Sequence, residues 1–597
     1  MTATDDAGAA TLCELFDRTV RSHPDLIALR NADGTVNYTY AQYRAAVADV
    51  AAALLTAGVR RGDVVALMFE NRPEFHVIDA AVMHLGAASC SIYNTSPTGD
   101  IAHIITTSGA RIALCEEPFA QRLREAAAEL TIVCTDTGVS GTTALHDLPR
   151  GDGFDFEATW QAVQPEDVLT LIYTSGTTGA PKPVELTHQS MVAEVLLAAE
   201  ALEFRAGDRV PSALPMAHAA QRWGTHYSAM AFGLDVVCID DLSTLASSLV
   251  TIQPDIWGTV PRILEKMVAG VRARMEAETD PARAGLVATA IDVGQRYAAA
   301  VQQARADGSQ PSQALAEQRE KVEPVLAAIR QSMGLGNLRW LMVGAAPTAP
   351  HIQSYLAGLG LEVVEVWGMS ELGAVATINP CGAQKFGTVG KPLRDVQITL
   401  SDDGEILVCG PIVMRGYRGE PVATAQAFTT DGRLRTGDLG ELDEDGYLSI
   451  TGRKKEIIVN SAGKNIAPAK VEAAVKAESP LIASVVAIGD ERPYLTALIV
   501  LDPDALTQFA ASAGIPVQRP EDLCDHDTVT TAVAQAVERA NTHLARVEQI
   551  KRYTVLSQFW QPDSAELTPT LKLRRRVIAE NYRSEIDALY AAEAVAR

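Results

Sequence analysis

The stretch LIYTSGTTGAPKPVELTHQSM, running from Leu171 to Met191, decides how the rest of the chain is read. Its apolar lead-in, Leu171-Ile172-Tyr173, predicts a strand, and the Ser/Thr/Gly run that follows predicts a loop before Lys182. Such a loop suits an anion. Gly176 and Gly179 let the backbone come close, Thr174, Ser175, Thr177 and Thr178 offer hydroxyl donors, and Lys182 adds positive charge. A Walker A loop requires G-x-x-x-x-G-K-[ST]; here the glycines are too close together and Pro183 follows the lysine. By composition alone, the run reads equally well as a flexible linker.

At 597 residues the chain is too long for a single core, so two or more domains are expected. A composition of 47% hydrophobic and 21% charged residues is that of a globular protein. The net charge of −23 argues against nucleic acid as a partner and against an electrostatic membrane anchor, since both present phosphate. Eight cysteines are dispersed without a C-x-x-C pair, which favours reduced thiols over a disulfide framework or a zinc site. The acidic start Met1-Thr-Ala-Thr-Asp-Asp has no basic-then-apolar signal, and no apolar run reaches the ~20 residues that span a bilayer. A cytoplasmic location is expected, with peripheral membrane contact left open. Nothing here bears on oligomeric state.

From Leu12 to Val163, helical and strand patterns alternate. Tyr43 to Gly58 has helical spacing, Val64 to Met68 reads as a buried strand, Phe75 to Leu85 as a helix and Ser89 to Ile92 as the next strand. Alternation of this kind predicts an α/β fold of mostly parallel, helix-covered sheets. Between Leu264 and Met333 the chain becomes charged and helical: Leu315, Val322, Leu326, Ile329 and Met333 fall on one face, and Gly308-Ser309-Gln310-Pro311 interrupts the run. A two-helix hairpin inserted at about 267–335 is expected. Strands return at Leu341-Met342-Val343 and Val363 to Val366, and turns at Asp403-Gly404 and Asp445-Gly446 predict a small barrel-like sheet. The boundary is placed at Gly452, dividing the chain into a large domain, 1–452, and a compact α+β domain, 453–597.

The island YTSGTTGAPK-x-V-x-LTH resembles the signature loop of the acyl-activating, adenylate-forming superfamily, except that Pro183 stands where those enzymes usually carry glycine. Further islands resemble the same superfamily in the same order. Gly344-Ala345-Ala346-Pro347 and Trp367-Gly368-Met369-Ser370-Glu371 imply nucleotide contacts, with the Trp367 ring against adenine and Glu371 binding Mg²⁺. Asp438 in Thr436-Gly437-Asp438 is implied to accept from both ribose hydroxyls, a match of two carboxylate oxygens to a cis-diol. Arg453 is implied at ribose or phosphate, Lys455 as the pivot of a small domain that rotates between two half-reactions, and Gly463 and Lys464 as CoA contacts after rotation. Thr568-Pro569-Thr570-Leu571-Lys572 resembles the closing motif of long-chain members, which makes Lys572 the implied catalytic lysine. His218 is implied near the reacting acyl group, and Trp223 as a gate to the acyl pocket.

Each of these residues also has a plain structural reading: a turn aspartate, a surface basic cluster, a core histidine or a core tryptophan. The resemblance implies a ligase that joins a long-chain fatty acid to CoA through acyl-AMP, with ATP and CoA as co-substrates and Mg²⁺ as cofactor. A mobile small domain is part of that implication. Two other readings stay open: an acyl-AMP ligase that hands its adenylate to a carrier protein, and, from another class, a P-loop NTPase using Lys182 or a non-catalytic lipid- or nucleotide-binding relative.

Overall fold

The structure, a computed structural model, describes residues 8–174, 180–517, 519–561, 564–568 and 572–591. Ser175, Gly176, Thr177, Thr178 and Gly179 therefore lie outside the described residues, as do residues 569–571 of the closing motif.

The largest sheet has eight strands. Its middle, Val168–Thr174, Ala88–Ser91, Val64–Met68, Ile112–Cys115 and Thr131–Cys134, is parallel throughout. Every residue of Val64–Met68 is buried, as expected of a continuous apolar run covered by helices on both faces. One edge turns antiparallel, with Lys182–Thr187 and then Gly416–Tyr417; the other edge ends on Thr143–Ala144. A second sheet aligns Ile256–Thr259, Trp340–Val343 and Val363–Trp367 in parallel and adds two short antiparallel strands. A third joins Arg209–Ser212, Asp235–Cys238 and Ile27–Asn31. The expected helix-covered, mostly parallel α/β architecture is present.

Local sequence sets the helix ends. Thr39 and Gln42 form a reciprocal capping box ahead of Tyr40–Thr56, so that helix begins three residues before the periodicity alone suggests. Pro73 starts Pro73–His84 at the first helical position, where its missing donor costs nothing.

The inserted segment consists of three helices, Pro261–Glu276, Pro281–Asp307 and Gln313–Ser332, instead of two. The overlooked break is Asp280-Pro281, where the Asp280 carboxylate caps the backbone amides of Ala282 and Arg283. The last two helices form the hairpin, turned by Gly308 at φ 72° and restarted by the Ser312 cap. Leu326 and Met333 are buried, with Val322 and Ile329 packed beside them against the sheet-covering core.

The β-rich region is a four-stranded antiparallel sheet, Gln397–Leu400, Glu405–Cys409, Leu434–Leu442 and Leu448–Arg453. Beyond Ile458, a three-stranded sheet carries its own apolar cluster centred on Val471, Leu501, Val533 and Ile550. Three ion pairs tie this last unit to the helix Pro261–Glu276: Arg262 with Asp502 at 2.5 Å, Lys476 with Glu265 at 3.4 Å, and Lys266 with Asp504 at 3.7 Å. Among the described residues, no helix is long and apolar enough to cross a membrane.

A buried charge cluster joins three elements of the large region. Arg222 donates to Ser91 Oγ at 2.6 Å, to Ser89 Oγ at 2.7 Å and to the Asp79 carboxylate, and His226 Nε2 meets the other Asp79 oxygen at 2.7 Å. Arg222 and Asp79 are each 1% exposed, so removing one partner leaves the other charged and dry. Asp79→Ala is expected to lower the unfolding free energy by about 3–5 kcal/mol. Arg222→Met in the same background should recover part of that loss, and urea midpoints of the single and double variants check it.

Candidate active site

A cavity of about 760 Å³ lies where the first two sheets meet the four-stranded sheet and the C-terminal unit. Strand ends supply most of its polar wall. Val168–Thr174 delivers Thr174 and pairs it with Lys182 on the return strand. The Lys182 ammonium sits 4.9 Å from the centre of the Tyr417 ring, a cation–π contact that keeps it at the cavity edge.

Pro183 occupies the next rung, opposite Tyr173. Its carbonyl accepts from the Arg418 amide at 2.9 Å. In an antiparallel strand the N–H and C=O of one residue point the same way, so the donor that proline lacks faces Arg418 and not the Val168–Thr174 ladder. The proline therefore removes no bond from the strand leading into the signature loop.

Val363–Trp367 ends in the turn Gly368-Met369-Ser370-Glu371. Gly368, Met369, Ser370 and Glu371 all border the cavity. Glu371 is buried, accepts a hydrogen bond from the Tyr417 hydroxyl at 2.8 Å, and has its carboxyl pushed up by burial against the opposing pull of that bond. Trp367 lies behind this wall. Its indole Nε1 donates to Asp438 Oδ2 at 2.9 Å, while Arg453 Nε donates to Asp438 Oδ1 at 2.7 Å. Both Asp438 oxygens thus already have partners, and neither Trp367 nor Asp438 borders the cavity itself, although Gly437 and Arg453 do. Trp367 forms the cavity's second layer, a placement that its position in the motif does not reveal.

Gly344 and Ala345 border the cavity after strand Trp340–Val343, whereas Ala346 is not part of its lining. Ala345 has φ 71°, a left-handed conformation costly for a residue with a Cβ and typical of backbone held for a ligand.

The C-terminal unit contributes Lys572. Its amide donates to Thr568 Oγ1 at 3.0 Å and its carbonyl accepts from the Thr568 amide at 2.8 Å, while Leu567 pairs with Leu573, and this pairing holds Lys572 at the cavity. Burial and then the neighbouring Arg453 push the ammonium below its ordinary range, opposed by Asp438, Glu456 and Glu371. Lys455, in the short turn Lys454–Glu456, also borders the cavity. Gly463 and Lys464 do not: they sit on an exposed turn in which the Gly463 amide donates to the Asn460 carbonyl at 2.8 Å.

The other end of the cavity is apolar. Here the helix after His218 widens into a π turn over Trp223–Tyr227. The wide turn puts Gln221, Trp223, Gly224 and Thr225 on the wall while Arg222 reaches the buried cluster. His218 borders the same space; burial, then Lys572, push its imidazole down to about 4, so it is neutral at pH 7, and its Nδ1 has no partner among the described residues. Phe204, Val210, Leu214, Ile256, Trp340 and Met342 complete this end.

The structure thus brings together Thr174, Lys182, His218, Trp223, Gly344, Ala345, Gly368, Met369, Ser370, Glu371, Arg453, Lys455 and Lys572. It leaves Ala346, Gly463 and Lys464 outside, and sets Trp367 and Asp438 behind the lining. Sequence reasoning missed Tyr417, which holds Glu371 and lies beneath Lys182. The residue is 46 positions from Glu371 in sequence, in a stretch with no periodic signal, so only the fold brings the two together.

The arrangement suits an anionic nucleotide beside an apolar acid, and comparison with known proteins agrees. The AMP-binding enzyme family matches residues 16–418, and the AMP-binding enzyme C-terminal domain matches residues 455–594. FadD11 of Mycobacterium tuberculosis, which bears a fatty-acid–CoA ligase name, is 45% identical over 76% of this chain and 79% of its own length. The long-chain-fatty-acid–CoA ligase FadD15 of Mycobacterium bovis is 34% identical over 96% of both chains. Among solved structures, the o-succinylbenzoate CoA synthetase of Bacillus subtilis in complex with ATP and magnesium shares the fold, with a TM-score of 0.66 at 23% identity over 94% of this chain and 98% of its own. The chain belongs to the AMP-binding enzyme family, in the group whose curated members are named fatty-acid–CoA ligases.

Proposed function

We propose that this enzyme joins a long-chain fatty acid to CoA in two half-reactions, forming acyl-AMP and pyrophosphate from the acid and ATP, then acyl-CoA and AMP. The observation that carries this reading is the convergence of Lys572, Lys182 and Arg453 on one side of a cavity whose other side is apolar. A carboxylate with a pKa near 4.3 is already ionised at neutral pH, so the first step needs no general base. Its barrier is the approach of one anion to another. The buried ammonium of Lys572 offsets that repulsion and follows the negative charge as it moves onto pyrophosphate. Neutral His218, with Nδ1 unpartnered, offers a hydrogen bond at the acyl carboxylate without adding charge.

Asp438 is assigned to the ribose diol; the hydroxyls would share its oxygens with Trp367 and Arg453. Ser175, Gly176, Thr177, Thr178 and Gly179 are assigned to the phosphates with Thr174. Glu371 fits Mg²⁺: it is a hard oxygen donor on the cavity wall, steadied by Tyr417. Among the described residues no three His, Cys, Asp or Glu side chains form a metal cage, so a bound Mg²⁺ would complete its shell with water and substrate oxygens. Its chemistry there would be the neutralisation of phosphate charge.

The pivot is placed at Lys455, immediately after the 1–452 domain. With Lys572 in the cavity and Gly463 and Lys464 outside it, the present arrangement suits adenylation; rotation would withdraw Lys572 and bring Gly463 and Lys464 toward the adenylate for attack by the CoA thiol, with a pKa near 8.5. The Arg262–Asp502 pair must open for that rotation.

Lys572→Ala is expected to slow acid-dependent ATP–pyrophosphate exchange by about 10²–10³-fold while sparing acyl-CoA formation from supplied acyl-AMP. Intact exchange with lost thioester formation would reverse the assignment. Release of free acyl-CoA from acid, ATP and CoA also separates this enzyme from a ligase that stops at the adenylate. Removing the Tyr417 hydroxyl takes away the bond that holds the Glu371 carboxyl down, so Tyr417→Phe should move the acidic limb of kcat/KM to higher pH and leave the alkaline limb in place. Asp502→Asn should slow adenylation relative to the thioester step by about two- to fivefold, the scale of a partly exposed pair, as measured by single-turnover rates of each half-reaction.

A further inference from the structure

We propose that Trp340, braced by Phe204, closes the far end of the acyl pocket and fixes the longest acid the enzyme accepts, an inference that rests on the fatty-acid reading above. Trp340 opens the strand Trp340–Val343 and is 5% exposed. Its indole Nε1 donates to the Glu203 carbonyl at 3.0 Å. Phe204 meets the indole edge-on, with ring centroids 5.5 Å apart and planes at 82°, and itself stacks on Phe232 at 4.9 Å. A ring held by a hydrogen bond at its edge and by a second, stacked ring at its side does not swing away freely.

Both Trp340 and Phe204 border the apolar end of the main cavity. On its other side Trp340 borders a separate surface depression of about 580 Å³, formed with Glu200, Glu203, Arg339 and Glu362. Among the described residues that border the two spaces, Trp340 alone borders both. One side chain therefore divides an apolar interior from a depression rich in charge.

This division has a specific effect on selectivity. Each methylene added to the acid gains about fourfold from burial until the methyl end reaches the indole. The next carbon must fold back or displace two packed rings. Wild-type activity should consequently fall beyond a defined length instead of levelling off. With the indole removed, the tail can pass into the depression, where further methylenes meet water and charged groups and gain little. The profile should then level off without forming a new sharp maximum.

The test is the kcat/KM for acyl-CoA formation across a series of saturated acids, with ATP and CoA, for the wild type, Trp340→Ala, Trp340→Phe and Gly258→Ala. For Trp340→Ala, the ratio of kcat/KM for acids beyond the wild-type limit to that for acids below it should rise about tenfold or more. General damage to the fold lowers all acids alike and leaves this ratio unmoved. Trp340→Phe should raise the ratio less. Gly258→Ala works in the opposite direction: its Cβ would meet Met342 Cε at 2.9 Å and push that methyl into the cavity, moving the limit to shorter acids. An unchanged cut-off in Trp340→Ala overturns the proposal; if that variant does not fold, unchanged cut-offs in both Trp340→Phe and Gly258→Ala overturn it. A wild-type enzyme that makes pyrophosphate and CoA thioester from other acids but from no fatty acid would overturn the fatty-acid reading, and this proposal with it.

Discussion

Two anions must meet in this cavity, and the cation positioned between them comes from a different part of the chain than the walls do. Lys572 reaches the site from the C-terminal unit, bonded back to Thr568, and its ammonium is disfavoured by burial and by Arg453. An unoccupied site therefore holds an uncomfortable charge, and an arriving carboxylate and polyphosphate relieve it. Burial, and then the same lysine, push the His218 imidazole down, so the nearby histidine stays neutral. The apolar cluster of the C-terminal unit and its ion pairs to the helix Pro261–Glu276 hold that lysine in place.

Much of this was legible in the sequence because the informative residues are close together along the chain. Val64 to Met68 reads as a buried strand from five consecutive apolar residues, and it is one. Gly308-Ser309-Gln310-Pro311 marks the hairpin turn because glycine and proline act locally. The motif islands likewise name Glu371 and Lys572 within runs of five residues. Asp280-Pro281 was equally local, a cap followed by a first-turn proline, and should have divided the insertion into three helices.

What was not legible depends on contacts between distant positions. Tyr417 holds Glu371 through one hydroxyl, Asp79 meets Arg222 across 143 positions, and Trp340 touches Phe204 from a different part of the chain. None of these residues has a neighbour in sequence that announces its partner. Trp367 shows a subtler limit: the island gives its identity, but only the packed structure shows the indole turned to Asp438 and away from the open cavity.

Pro183 also governs how the largest sheet ends. It has no amide hydrogen to offer toward Arg418, so the Arg418 amide's bond to its carbonyl stands without a return bond, and the outer strand Gly416–Tyr417 is two residues long with Arg415 and Arg418 at its ends. The opposite edge, Thr143–Ala144, is equally short. Both outer strands of this eight-stranded sheet are thus only two residues long, so each offers a second chain a short template on which to add a strand.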